Sequence, residues 1–478
     1  MGKEIQHKGY SSEEVAEFRR RLEEETAVVK EWFDTDAFAH DEQMTGIELE
    51  AWLVNENMLP DPFNDVFLEE LNLEQVVPEI AKFNFELNST PYKLKGKTFS
   101  KLEKELTHLW KTCENKAQEH DKHALLIGTL PTLRPHMLDM EYLSKQNRYA
   151  VMNEQVMKMR DGKPLYIRLE GKDNLYMYMD SVIAECAATS LQVHLSIDQK
   201  NAKRYYNASI LAAPYLIALS ANSPYFFGKE LWDESRIAIF EQSVDLAAIS
   251  RKGTQAKRVT LGNGYVQESL FELYEENTYD YPILLAELAE DYDVNKLQHM
   301  QLHNGTIWRW NRPIISKDKK GVPHLRIEQR VPSAGPTIVD SVANAAFGIG
   351  LLDYFANLES PPEDIIAFEE AIHNFYKASR QSFFCKVRWI DGKLHDMREL
   401  LLYEIFPHVK QALLKRGLNS DDVEYYMEQV IHPRLQKGVN GTIWQKAFIH
   451  MHGKRFQELL ENYIQNQYSG KPVHTWEL

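Results

Sequence analysis

With 478 residues, 44% of them hydrophobic and 11% aromatic, the chain has an ordinary globular composition, enough for one large catalytic domain or two to three smaller ones. The 70 acidic residues against 55 basic ones leave a formal charge of −15, which argues against nucleic acid as a partner while leaving small anions open. Three cysteines, Cys113, Cys186 and Cys385, in no paired spacing, exclude a disulfide framework and a structural zinc knuckle and fit a reducing cytoplasm.

The N-terminal MGKEIQHKGYSSEEV has no apolar signal core. The longest apolar stretch, around Ile210 to Ala221, is too short and too interrupted to span a bilayer, so a soluble cytoplasmic protein with no membrane partner is expected. Ser11 and Glu14 have capping-box spacing, which predicts a helix running through Phe33.

GIELEAWLV, Gly46 to Val54, then reads as a strand. Ile47, Leu49 and Ala51 share one face while Glu48, Glu50 and Trp52 share the other. Two carboxylates ~7 Å apart on a semi-enclosed face repel and resist desolvation, so a positive group is expected between them. FNFELN repeats the pattern, with Phe83, Phe85 and Leu87 opposed to Asn84, Glu86 and Asn88. Helical patterns follow at Thr98 to Asp121 and, more apolar, at Ala202 to Ala221.

Between those helices LQVHLSID alternates Gln192, His194, Ser196 and Asp198 with an apolar set, and later LRIEQRV places Arg326, Glu328 and Arg330 on one face. The two prolines of ESPPED, Glu359 to Asp364, break the chain, and an almost wholly helical segment is expected from Ile365 through Gln465. This divides the chain into residues 1–358 and a helical part, 359–478, packed on the same domain. Two copies of NGTIW, at Asn304 and Asn440, have unrelated flanks and are read as coincidence.

One strand with polar alternation is an ordinary half-solvated sheet. Here, however, four polar faces carry Glu, His, Arg, Asn and Gln with almost no Lys or Thr, which points to a concave site on an α+β fold. If the strands are neighbours, Glu48, Glu50, Glu86, His194 and Glu328 converge, bordered by Arg326 and Arg330. Excess carboxylate with one imidazole favours Mg2+ or Mn2+ over zinc, and arginines beside such a metal point to phosphate. No GxxxxGK[ST], HEXXH or Gly-x-Ser-x-Gly motif occurs, and FGIG at Phe347 to Gly350 sits in an apolar helical context suited to packing.

Taken in order, GIELEAWLV, FELNSTP, GTLPTLRP, NRY, LQVHLSI, LSANSPYFFG with Ser235-Arg236, IWRWNRP and RIEQRVPSAGPTIVD resemble the carboxylate-amine ligases of the glutamate-cysteine ligase type, in the glutamine synthetase superfamily, over roughly Thr45 to Asp340. The resemblance implies a curved, mainly antiparallel sheet with helices on its far face. It also implies ATP as co-substrate, Mg2+ or Mn2+, and glutamate plus an amine such as cysteine as substrates. Its metal positions fall on Glu48, Glu50, Glu79, Glu86, His194 and Glu328. Arg330 and Arg236 match catalytic positions, while Arg148, Tyr149 and Arg312 match substrate or phosphate positions. Leu49, Leu130 and EQRVPSAG depart from the family pattern, leave the metal and phosphate positions intact and bear on the amine acceptor. A metal-dependent amide hydrolase and a non-catalytic binder are the competing classes.

Overall fold

Eight strands form one antiparallel sheet: β1 (Met44–Asn55), β2 (Val76–Pro78), β3 (Asn84–Asn88), β4 (Tyr92–Lys93), β5 (Lys122–Leu125), β6 (Leu191–Ile197), β7 (Asn311–Lys317) and β8 (Pro323–Gln329). The computed structural model describes residues 5, 9–39, 43–247, 253 and 255–478, so part of the N-terminal stretch read above lies outside the described residues. The strand order is β7-β8-β6-β1-β3-β2, with β4 and β5 paired to β1. The curled sheet, the flanking helices and the helical C-terminal part together give the expected α+β architecture.

The register brings the polar faces together. On β1, Glu48 lies opposite Asn88 of β3 and Gln192 of β6, and Glu50 opposite Glu86. His194 of β6 faces Glu328 of β8, which in turn faces Arg312 of β7. Since side chains alternate along each strand, these residues share one face of one sheet. The opposite face holds Ile47, Leu49, Ala51, Phe85, Leu87, Leu191, Val193, Leu195 and Ile327, none more than 2% exposed. A one-residue slip would exchange the two sets, at about 1.5–3 kcal/mol for each large side chain exposed, so burial of the apolar face fixes the site's register.

α1 (Ser12–Asp34) opens on the expected capping box, with both reciprocal bonds between Ser11 and Glu14 formed. α2 (Thr98–Gln118) is also where the sequence predicts it. α3 (Asn147–Met159) begins at the NRY motif, and α4 (Gln199–Ser220) packs on β6, β7 and β8 from the apolar side. α5 (Ser235–Ser243) carries Arg236 in its first turn. α6 (Ile338–Ala356) lies against α4 and is the longer apolar segment, which corrects the reading that Ile210 to Ala221 is the longest. It is the one helix among the described residues with the length and composition to cross a membrane, and 94% of its apolar window is buried inside the protein. FGIG falls within it as a packing element: a Cβ on Gly350 would sit 2.8 Å from Val409 Cγ1.

Residues after Pro362 are not all helical. Lys386–Arg388 and Leu394–Asp396 form a hairpin, closed where Gly392 takes φ +75° and the Trp389 N–H donates to Lys393 O. The Asp391-Gly392 turn signal in the sequence marks this interruption. The other C-terminal helices include α7 (Phe406–Lys415), α8 (Gly441–His452) and α9 (Phe456–Tyr468), and α7 packs on α6. The two NGTIW copies differ in structure: the first ends a helix and the second starts α8 with Asn440 as its cap.

Candidate active site

The polar face holds two groups of carboxylates. In the first, His194 Nε2 lies 2.9 Å from Glu48 Oε1 and 3.9 Å from Glu328 Oε1. His194 Nε2 is therefore in contact with the Glu48 carboxylate, while its Nδ1 is buried without a partner. One ligand atom from each of these three residues lies within 4.8 Å of the others, the only such group found among the described residues. Two ligands of one Mg2+ stand about 4 Å apart at most, at 2.0–2.1 Å from the ion, so the 2.9 Å and 3.9 Å spacings of His194 from the two carboxylates fit a single divalent cation.

Glu328 is the best-compensated carboxylate. Arg312 donates Nε to its Oε2 and an Nη to its Oε1, both at 2.8 Å, and Arg330 donates to Oε2 at 3.0 Å. Burial pushes its pKa up, but the two guanidinium groups and His194 outweigh that and hold it well below the usual range. Glu48 behaves alike: burial raises it, and the neighbouring His194 brings it below its ordinary value.

The second group is Glu50, Glu79 and Glu86. Glu50 accepts from Ser190 N at 2.6 Å, Ser190 Oγ at 2.9 Å and Gln192 Nε2 at 2.8 Å, and Gln192 in turn accepts from Arg330 at 2.8 Å. Glu86 accepts from Asn88 at 2.8 Å. Val77 pairs with Glu86, so Glu79, two residues further on and one beyond the end of β2, continues on the polar face. Burial raises all three carboxyls. Glu50 moves up despite Arg330, Glu79 reaches about 7 with Glu50 adding to the effect, and Glu86 rises well above its ordinary value under the charges of Glu48, Glu79 and Glu50. This crowding of like charge is the condition a second cation relieves.

Glu185 is the residue that the strand patterns miss. It sits in a short helical turn, Val182–Ala187, and burial raises its carboxyl well above the ordinary range, with Glu79 and then Glu50 adding to the rise. A strand-face argument does not reach it; the available signal is a single charge inside the apolar run VIAECAA.

The arginines occupy different settings. Arg312 and Arg330 lie on the carboxylate face. Arg148 stacks on Tyr149, 4.6 Å from the ring centroid, donates to its hydroxyl at 2.5 Å, and lowers the Glu79 pKa from nearby. Tyr149 is 7% exposed. Arg236 is almost fully buried and bonds Glu234 and two main-chain carbonyls, a different setting from that of Arg312 and Arg330. Trp310 is core: it is fully buried and donates to Glu241 at 3.0 Å. The three cysteines are free and buried. Beside Glu48, His194 and Arg326 opens a cavity of about 610 Å³.

The sequence matches the profile of glutamate-cysteine ligase family 2 (GCS2) over residues 44–466. The chain belongs to this family. No curated protein sequence matches it. Among solved structures it is similar to glutamate-cysteine ligase from Francisella tularensis in complex with AMP, at 12% identity and TM-score 0.51, over 91% of this chain and 90% of that one. It is also similar to a bifunctional glutathione synthetase from Pasteurella multocida, at 11% identity and TM-score 0.49, over 93% of this chain and 55% of that one. At such identity the first likeness is one of fold. Membership of the GCS2 family makes the chain an ATP-dependent carboxylate-amine ligase, an enzyme that forms an amide bond.

The raised carboxyls of this GCS2 member predict a pH signature. Glu79 titrates at about 7 in the folded chain against an ordinary 4.5. The native state therefore keeps a proton that the unfolded state loses, and stability falls as pH rises through that window. Glu79→Gln removes this dependence, so in chelator the variant should gain on the wild type by on the order of 2–3 kcal/mol between pH ~4.5 and pH ~8. Mg2+ or Mn2+ should raise the wild-type melting temperature and close the gap. Melting curves of both proteins over this range, with chelator or metal, check it; a gap constant with pH would show that Glu79 is not crowded.

Proposed function

We propose that the chain phosphorylates the γ-carboxylate of glutamate with ATP and joins the resulting acyl group to an amine, with L-cysteine as the acceptor. The observation that carries this reading is the register that sets Glu48, His194 and Glu328 beside Glu50, Glu79 and Glu86, with Arg312 and Arg330 among them. A carboxylate is a poor electrophile, and its attack on a phosphate brings two anions together. Such a step needs fixed positive charge and exclusion of water.

The Glu48–His194–Glu328 and Glu50–Glu79–Glu86 groups would each hold a divalent ion, which would supply charge neutralisation for the phosphate. Arg330 and Arg312, anchored on Glu328, would supply guanidinium N–H groups to developing phosphoryl charge. Arg148, stacked on Tyr149 near Glu79, supplies a cation for a substrate carboxylate. The cavity next to Glu48 and Arg326 has the volume of a small-molecule site and would take the nucleoside part of ATP. Cysteine as acceptor follows from the family and from no residue of the site.

ADP release tests the proposal. It should require glutamate and an amine together and be highest with cysteine across a panel of amino acids and amines. ADP formation with another amine in preference would keep the γ-glutamyl ligase and change the acceptor. Amide cleavage in the absence of nucleotide would replace the ligase with a metal-dependent hydrolase.

A further inference from the structure

Of the four arginines matched to catalytic, substrate or phosphate positions, Arg236 alone is buried, its side chain only 1% exposed. Its Nε donates to Glu234 Oε1 at 3.1 Å, and one Nη donates to Arg330 O at 3.3 Å and to Val331 O. The guanidinium lies over Trp310, 5.3 Å from the ring, and the Trp310 carbonyl accepts the Arg330 N–H at 2.9 Å. The main chain of Arg330 is thus held on both sides at the end of β8, two residues from Glu328. From there its side chain reaches Gln192 and Glu328 on the carboxylate face.

The support continues outward. Glu234, itself 1% exposed, accepts from Asn222 N at 3.0 Å. The Asn222 amide donates to Ala334 O and to the Tyr463 hydroxyl, both at 2.8 Å, and accepts from Gln445 at 2.9 Å. Gln445 and Tyr463 belong to α8 and α9, and a Cβ on Gly441 of α8 would fall 2.0 Å from Asn222 Oδ1. Glycine at 441 lets α8 close on this hub.

We propose that Arg236 is a positioning residue: fixed by Glu234, it holds the carbonyls of Arg330 and Val331 and so aims the Arg330 guanidinium at the carboxylate face, with α8 and α9 as the outer brace. This places Arg236 behind the site and out of contact with substrate, and it gives the C-terminal helices a role in the site. The kinetic part of the inference rests on the ligase function proposed above; the geometric part does not.

The test uses the full-length chain with Arg236→Lys, Arg330→Lys and the double variant. Lysine keeps the charge at 236 but loses the fork that reaches Glu234 and the carbonyls together. Arg236→Lys should lower kcat about 10–100-fold, as loss of support behind a site residue does, with KM for glutamate within about twofold. In the Arg330→Lys background the same change should cost less than about a further twofold, because a residue that acts only through its partner has little effect once that partner is altered. Effects that multiply in the double variant would overturn the inference. So would a KM for glutamate raised tenfold or more at unchanged kcat, which marks direct substrate contact. Should Arg236→Lys fail to fold, Glu234→Gln takes its place in the same cycle.

A crystal structure of Arg236→Lys, or of Glu234→Gln in its place, supplies the readout that activity does not. Arg330 should leave Gln192 and Glu328, and an unmoved Arg330 side chain refutes the inference even if no acceptor gives ADP.

Discussion

Glu328→Gln and Glu86→Gln should each lower turnover about 10²–10³-fold, the scale of removing one aimed electrostatic group from an active site, while moving the melting temperature of the metal-free protein in opposite directions. Glu328 is 2% exposed and bonded by both Arg312 and Arg330. Its carboxyl is held far below the usual range, so its charge stabilises the fold at neutral pH. Glutamine there leaves the largely shielded Arg312 and Arg330 guanidinium groups short of an anion, a loss on the order of 3 kcal/mol.

Glu86 is the reverse case. Burial and the charges of Glu48, Glu79 and Glu50 raise its carboxyl, so the native state at neutral pH carries a strain that glutamine relieves. Glu50 falls between, because an amide at 50 would turn a donor toward Ser190 N or Gln192 Nε2. Thermal melts in chelator and steady-state ADP formation on the three variants check this. A Glu86→Gln protein less stable than wild type would remove the crowding on which the cation argument depends.

The sheet and most of the site were legible because a strand repeats every two residues. Once Glu48 and Glu50 are set on one side of β1, opposite an apolar set that must face the helices, pairing of β1 with β3 and β6, and of β6 with β8, brings Glu86, His194 and Glu328 alongside. Glu79 was accessible through the family motif rather than through any period, and the structure gives the reason: it shares a face with Val77, one residue beyond the end of β2.

What lay beyond reach was set by tertiary contact. Glu185 enters the acidic group from a helical turn outside the sheet, so no alternation predicts it. Nor does the dipeptide Ser235-Arg236 say whether the guanidinium faces substrate or the underside of β8. That depends on Glu234, Trp310 and the C-terminal helices, which are distant in sequence or invisible to a motif. The hairpin at Lys386–Asp396 was overlooked for a local reason, since helical periodicity on both sides masked the Asp-Gly turn.

Arg330→Lys should lower kcat by about 10²-fold, the cost of one missing transition-state donor, and leave KM for glutamate nearly unchanged. The arginine uses one guanidinium nitrogen for both Gln192, at 2.8 Å, and Glu328, at 3.0 Å, while its Nε is buried without a partner. Burial opposes its charge, but Glu328 and then Glu50 stabilise the cation strongly, so it remains charged at any working pH. Lysine preserves that charge and removes the planar fork, separating the two ways in which an arginine can serve a phosphate.

If positive charge alone were needed, the lysine variant would retain most of its activity. If two N–H groups must meet developing phosphoryl oxygens, kcat falls and kcat/KM falls with it, because the contact exists only in the transition state. Arg312 supplies the internal comparison. It already forms two parallel bonds to Glu328, so Arg312→Lys should disturb Glu328 first, with a larger loss of stability than Arg330→Lys and a weaker affinity for Mn2+. Turnover, KM for glutamate, melting temperature and Mn2+ affinity, measured on both variants, distinguish the roles. A rise in KM for glutamate at unchanged saturated turnover in Arg330→Lys would reassign Arg330 to the substrate carboxylate and leave the phosphate to Arg148 or Arg312.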